Sequence, residues 1–290
     1  MKQSKKNALT LILFFALSTA FGQEHKADSL SGKFQFNAIA EFGFLNVFDH
    51  KIQFSNSGTN FDYGRDGGQD VLFPVSRFSL KFKSHKNTFY FLYQPLRLES
   101  QVLLENDLRV DDALFIAGSS VKLVYGFPFY RFSYTRELFT NRPKFNFALG
   151  GTIQIRNATI SFESADGSIY RRNSDVGIVP ALKLKTNYHF NTRFYAEIEA
   201  DGIYAPISYL NGSDNEVVGA ILDASLRGGV SIIDNFDCFL NFRYLGGGAV
   251  GTSDNIDGPG DGYVRNWLHF GTVTVGFKYQ LNMEAKRRKI

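Results

Sequence analysis

From Phe34 to Leu281 the chain alternates apolar and polar side chains residue by residue, through ten successive segments. None of this territory has the spacing of an amphipathic helix. The segments are Phe34–Phe48, Val71–Lys83, Asn87–Glu105, Ser119–Glu137, Lys144–Glu163, Tyr170–Phe190, Arg193–Tyr209, Val217–Ile232, Cys238–Gly248 and Tyr263–Leu281. Successive side chains of a strand point to opposite faces, so each segment makes a strand with one apolar and one polar face. On Val71–Lys83, Phe78, Leu80 and Phe82 oppose Arg77, Ser79, Lys81 and Lys83. On Lys144–Glu163, Phe145, Phe147, Leu149, Ile153 and Ile155 oppose Asn146, Thr152, Gln154 and Arg156.

Two architectures use such strands. A secreted soluble sandwich or ligand-binding barrel turns its apolar face inward, whereas a membrane barrel turns it to lipid and keeps charges in the lumen. The connections favour the second. "SHKN", "FTNRP", "NTR" and "IDNFD" are short, while "DHKIQFSNSGTNFDYGRDGGQD", "NDLRVDDALFIAG", "LNGSDNE" and "GAVGTSDNIDGPGDG" are longer, acidic and glycine-rich. Short turns at one end and long loops at the other are how outer-membrane barrels are built. Aromatics gather where strands meet turns, at Tyr188, Phe190, Phe194, Phe236 and Tyr279, and at Tyr204, Tyr263 and Trp267 at the far end; an interfacial girdle has this distribution. The closing strand carries Thr274, Gly276, Tyr279 and Leu281 in a pattern that resembles the C-terminal assembly signal of outer-membrane proteins. The expected fold is all-β: an antiparallel transmembrane β-barrel of about ten strands. Eight or twelve are the alternatives, if long strands split or the first loop holds a hairpin. Ten strands put both ends on the periplasmic side. Several segments exceed the roughly 9–11 residues needed to cross a bilayer, so the barrel is expected to project above the outer surface.

Composition agrees with interleaving. Aromatic residues make up 16% of the chain, yet the mean hydropathy is -0.16. The net charge of +4 invites a nucleic-acid partner, but the bases sit singly in strands, turns and tail, with no basic-aromatic cluster to support one. The single cysteine, Cys238, rules out an internal disulfide and reads as a small hydrophobe near the periplasmic rim. At the N-terminus, Lys2, Lys5 and Lys6 precede an apolar run ending near Ala20, with small residues at Ala20 and Gly22. That is the form of a secretory signal peptide. The expected division is a signal peptide over 1–22, a periplasmic linker over 23–33, the barrel over 34–281 and a basic tail over 282–290.

In order along the chain, "FYFLYQPLRLES", "FYRFSYTREL", "IVPALKLKTNYHF", "EIEADGIYAP" and "WLHFGTVTVGFKYQL" resemble a group of uncharacterised Gram-negative outer-membrane β-barrel proteins. The resemblance covers about Val71 to Leu281 and implies a barrel without implying an activity. The closing "AFGQ" of the signal peptide points to a Bacteroidetes-type source.

The densest polar constellation is "EIEAD" facing "LKLKTN" across the "NTR" turn. Glu197, Glu199 and Asp201 share the lumen face with Lys183, Lys185 and Asn187. One register sets Lys185 opposite Glu199 and Lys183 opposite Asp201; the other sets Lys185 opposite Glu197 and Lys183 opposite Glu199. Asp223 and Arg227 extend the patch. Its candidate roles are a charged constriction, a catalytic carboxylate cluster, or a cross-braced polar core filling a narrow barrel. The last is preferred, because ten strands leave little lumen once side chains are counted. The other inward bases, Arg77, Lys81, Arg131, Arg156, Arg243 and Lys278, outnumber the other inward acids, Glu41 and Glu137, so an open pore is expected to prefer anions.

The histidines do not cooperate. His25 falls in the linker, His85 and His189 beside short turns, His50 at the start of a loop, and His269 on the lipid or rim side of its strand. Asp111–Asp112 is the only adjacent acid pair. The loops holding Asp62, Asp66 and Asp70, and Asp254, Asp257 and Asp261, have carboxylates suited to calcium but lack the spacing of a calcium loop. They are read as solvated turns. No metal, cofactor or catalytic residue is expected. The expected partners are outer-membrane lipid and the β-barrel assembly machinery, and the sequence sets no oligomeric state. The functional expectation is a non-enzymatic envelope protein: structural, a loop-borne contact surface, or a minor anion-preferring pore. The alternatives are an outer-leaflet protease or lipid-modifying enzyme with a rim site, and the soluble ligand-binding protein.

Overall fold

A computed structural model describes residues 33–139, 144–206, 217–252 and 260–284. The expected signal peptide, the linker up to residue 32, the tail from residue 285, and Asp254 and Asp257 lie outside them. The strands are β1 (Lys33–Phe54), β2 (Phe61–Asp62), β3 (Phe73–Ser84), β4 (Asn87–Gln94), β5 (Arg97–Leu103), β6 (Leu108–Val110), β7 (Ala113–Phe115), β8 (Ser120–Gly126), β9 (Phe129–Glu137), β10 (Phe145–Ser164), β11 (Tyr170–His189), β12 (Phe194–Pro206), β13 (Val218–Ile233), β14 (Phe236–Thr252) and β15 (Tyr263–Glu284). β4 runs on into β5, and β8 into β9, so the wall is a closed barrel of ten antiparallel strands. Ladder pairing passes from β11 through β15 to β1, then through β3, β4 and β9 to β10, and β10 closes the ring onto β11. The first and last strands pair along nearly their whole length, with Phe36 opposite Leu281 and Phe42 opposite Val275. No wall edge is then left open to the bilayer, where an unpaired backbone group has no water to bond.

Two strands expected to be continuous are interrupted, next to Pro95 and Pro128, which have no N–H to give a ladder. The breaks lie together: Phe127 N donates to the Leu96 carbonyl at 2.7 Å, and Asn157 N to the Pro128 carbonyl at 3.2 Å. β1 also continues past the expected end at Phe48. A bulge between Val47 and Asp49 absorbs one residue and lets Val47 and His50 both point inward. His50 is therefore an interior strand residue, which corrects its expected place at the start of a loop.

β10 shows where the membrane ends. Even-numbered residues face inward throughout. In its lower half the outward residues are apolar, with Leu149, Ile153 and Ile155 36–53% exposed, while Thr152 and Gln154 are buried inside. From Asn157 the assignment reverses: Asn157, Thr159, Ser161 and Glu163 face out, and Ala158, Ile160 and Phe162 are buried. No bulge causes this. The strand leaves lipid for water, so the apolar residues move to the interior face.

The apolar core consequently sits beyond the membrane at the long-loop end of the barrel, built around Leu45, Ile52, Phe54, Leu98, Leu123, Tyr125, Ile160, Phe162 and Phe270. Residues 55–72 and the β6–β7 hairpin fold over it and supply Phe61, Tyr63, Leu108, Val110 and Phe115. This cap is tied down. Thr59 N donates to the Arg109 carbonyl and Arg109 N to Thr59 Oγ1, both at 2.9 Å. Ser100 Oγ donates to the Gly67 carbonyl at 2.5 Å, and Arg171 pairs with Asp112 at 2.6 Å.

Candidate functional site

Below this core the lumen is a single network of charge. Every second residue of the membrane-spanning strands points inward, which places Glu41 (β1), Arg77 and Lys81 (β3), Arg131 (β9), Lys183 and Lys185 (β11), Glu197, Glu199 and Asp201 (β12), Asp223 and Arg227 (β13) and Arg243 (β14) around one axis, all buried. The β11–β12 register sets Lys185 opposite Glu199 and Lys183 opposite Asp201, the first of the two registers the turn allows. The lysines bond diagonally as well as straight across. Lys183 Nζ lies 2.6 Å from Glu199 and 2.8 Å from Asp201, and Lys185 Nζ 2.7 Å from Glu197. Arg131 reaches Asp201 at 3.4 Å and Asp223 at 2.5 Å, and Arg243 grips the Asp223 carboxylate with two N–H groups. Arg227 bonds Glu197, and Lys81 lies 3.6 Å from the same carboxylate.

Glu41 joins the strands beyond this patch. It accepts from Arg227 at 3.0 Å, Arg77 at 3.4 Å, Asn241 at 2.7 Å and Thr274 at 3.1 Å, partners from four other strands. Counted together, seven buried cations face five buried carboxylates in this layer. Two further pairs, Lys278 with Asp237 and Lys83 with Glu137, balance themselves nearer the short-turn end. Each buried charge in a low dielectric is costly unless paired, which is why the network is so densely cross-linked.

Aromatic rings bound the charged layer at both ends. Above, the guanidinium of Arg131 lies 5.1 Å from the Phe129 ring, and that of Arg243 5.8 Å from Phe270. Below, Phe239 lies over Gly276, its direct cross-strand partner, and Tyr195 lies over Gly229 in the same way. A Cβ at Gly276 would stand 2.1 Å from Phe239 Cζ. Arg227 sits 4.4 Å above the Phe239 ring and Lys278 4.9 Å from the Tyr195 ring.

The remaining expected residues divide. Arg156 is half-buried at the level where β10 changes phase, over the Phe127 ring at 5.9 Å, and forms no ion pair with the described residues. Tyr279 and Leu281 are exposed on the outer face of β15, while Gly276 faces the lumen. Cys238 is a half-buried free thiol on β14. Asp62 accepts from Gly64 N and Arg65 N, and Asp66 pairs with Arg65. Asp261 accepts from Asn56 and Tyr263, and these backbone N–H groups hold its carboxyl below the usual range. His269 lies on the outer wall, its Nδ1 2.5 Å from Tyr244 Oη.

Sequence reasoning missed a second constellation, inside the cap. His50 is fully buried, stacked on Tyr63 at 4.6 Å and edge-on to Tyr125 at 4.5 Å, with Nδ1 2.8 Å from Gln69 Oε1. Burial pulls the imidazole down to about 4, so the ring is neutral at ordinary pH. Asp49 and Asp62 oppose that shift without overcoming it. The signal that would have found it is the apolar phase of Leu45, Val47, Ile52 and Phe54, which marks the upper stretch of β1 as an interior face.

A closed ten-stranded barrel with a lipid-facing apolar belt and a charged lumen defines an outer-membrane β-barrel protein. Among solved structures the chain is similar to the outer-membrane protease OmpT of Escherichia coli, at a TM-score of 0.54 and 10% identity over 89% of this chain and 99% of that one. At that identity the likeness is one of fold alone. Ail, the attachment invasion locus protein of Yersinia pestis, overlaps 87% of this chain and 100% of its own at 10% identity. Neisserial surface protein A overlaps 85% and 96% at 12% identity. Their TM-scores of 0.32 and 0.28 carry no argument beyond this. No protein-family model and no curated protein sequence matches the chain.

Proposed function

We propose that this chain is a sealed, non-enzymatic envelope barrel that carries its folded cap above the outer membrane as a contact surface. The observation that carries the reading is the double obstruction of the lumen: a cross-bonded charged layer within the membrane and an apolar core above it. A conduction path would have to break both. The cap also leaves Val71, Leu72, Leu103 and Ile116 52–68% exposed, and apolar groups on a water-facing rim suit a partner surface. The protease and lipid-enzyme alternatives find no support in the two histidines of the upper barrel: His50 is buried under the cap, and His269 lies on the outer wall bonded to Tyr244.

The test is reconstitution of the purified protein in planar bilayers. The expected record is a flat baseline across the voltage range. Stable ohmic steps with anion selectivity would instead favour the minor-pore reading. For biogenesis, residues 1–22 act as a signal removed after Gly22, so the mature chain is expected to begin at Gln23 by intact-mass measurement. Gly276, Tyr279 and Leu281 serve as the signal read by the assembly machinery, and the apolar belt contacts outer-membrane lipid.

A further inference from the structure

The buried charges of the lumen do not balance, and the imbalance surrounds a hole. A largely enclosed cavity of about 20 Å³ lies on the barrel axis, between strands β1, β3, β4, β9, β11, β12 and β13. Its ionic lining is Arg77, Lys81, Arg131, Lys183 and Arg227 against Glu199 alone, with the hydroxyls of Ser79 and Ser133 beside them. Three of the lining guanidinium groups keep a buried N–H with no hydrogen-bond partner among the described residues: Arg77 Nε, Arg131 Nη2 and Arg227 Nε. On one side, Tyr90 holds the ammonium groups of Lys81, Lys183 and Lys185 at 5.3–5.4 Å from its ring centre, where Glu197, Glu199 and Asp201 already pair with them, so the unmet N–H groups are those of the arginines.

A water molecule needs about 10–15 Å³ and supplies acceptors without charge. It would fill the hole and leave the excess of buried basic groups over carboxylates without a counter-charge in a low dielectric, which costs several kcal/mol for each one that stays ionised. A monatomic anion fits the volume, accepts from several N–H groups at once and offsets part of the excess. We infer that the cavity is a binding site for a single halide-sized anion, chloride under ordinary salts, acting as an internal counter-ion of the lumen. Because the barrel is closed above and below, the ion enters while the barrel folds and exchanges slowly afterwards.

The experiment is refolding of the full barrel from denaturant into detergent micelles, with sodium bromide, sodium chloride or sodium gluconate at one ionic strength, followed by exchange of all samples into gluconate. Protein folded in either halide is expected to melt about 5 °C higher than protein folded in gluconate. Crystals grown from the bromide sample are expected to show an anomalous peak in the cavity, within hydrogen-bonding distance of the guanidinium groups. Lys81→Met removes a wall base whose one ion pair among the described residues, with Glu197, is long, and Glu197 keeps Lys185 and Arg227. That variant is expected to fold, judged by heat-modifiable migration, and to lose at least tenfold in halide affinity. Equal melting points in the three salts, or bromide crystals with no anomalous density in the cavity, overturn the proposal whatever the variant does.

Discussion

Glu41 and Arg227 lie 186 residues apart in the chain and meet across the lumen at 3.0 Å. Their contact spans two intervening strands, because Glu41 collects donors from β3, β13, β14 and β15 at once. Removing the carboxylate takes a partner from two buried guanidinium groups, leaving Arg227 with Glu197 and Arg77 with only a 4.0 Å approach to Glu199. Glu41→Ala is expected to cost about 3–5 kcal/mol. Glu41→Gln, which keeps an acceptor, is expected to cost less, about 1–3 kcal/mol. Urea unfolding in lipid vesicles measures both; a loss under 0.5 kcal/mol for Glu41→Ala would remove Glu41 from its central place.

The phase change on β10 predicts opposite tolerance on the two sides of Asn157. Ile153→Arg places a cation in lipid and is expected to cost about 2–4 kcal/mol. Thr159→Arg, on the same outer face but in water, is expected to cost under about 1 kcal/mol. Vesicle folding titrations of the two variants decide it, and equal penalties would mean that the membrane boundary lies elsewhere.

His50 gives the cap a dependence on pH. The folded value is about 4 against an ordinary 6.5. Between those limits the opened state binds a proton that the closed state does not, so stability falls as pH is lowered from about 6.5 to 4. The full effect is of order 3 kcal/mol. The hydrogen-exchange protection factors of residues 55–72, taken relative to the intrinsic exchange rate at each pH, are expected to fall over that window in the native protein, and to do so far less in His50→Phe. The same loss of protection in both proteins would show that another group controls the cap.

Gly276 supports the ring of Phe239, so its role separates into packing and recognition. Gly276→Val forces the ring aside, at about 1–3 kcal/mol. If packing is the cause, adding Phe239→Ala to Gly276→Val recovers much of the loss, a strongly non-additive pair. Fully additive losses in a double-mutant cycle would leave recognition by the assembly machinery as the reason for the glycine.

The wall of the barrel was legible because alternation encodes it directly. The ten segments, the closing pair of first and last strands, and the facing of Lys183 and Lys185 toward Glu197, Glu199 and Asp201 all follow from a period of two. What was not legible depends on the medium around a strand. The same alternation means apolar outward in lipid and apolar inward in water, so Ala158, Ile160 and Phe162, one residue out of phase with Ile153 and Ile155, take their meaning only once the strand is placed in space. The cap was hidden for another reason: the β6–β7 hairpin has three-residue strands, too short to show a period. Glu41 stood out as no more than a spare acid, because its four partners come from strands far away in sequence.

The reversal on β10 has a mechanical consequence. The outer wall turns from apolar Ile155 to polar Asn157 across two residues, about 6.6 Å of travel along the strand. Raising the barrel by that step would lift Ile155 into water, and lowering it would drag Asn157 into hydrocarbon. Either displacement is opposed by the hydration of a known side chain. β10 therefore fixes the vertical seat of the barrel in its membrane, and with it the height at which the cap is held above the bilayer.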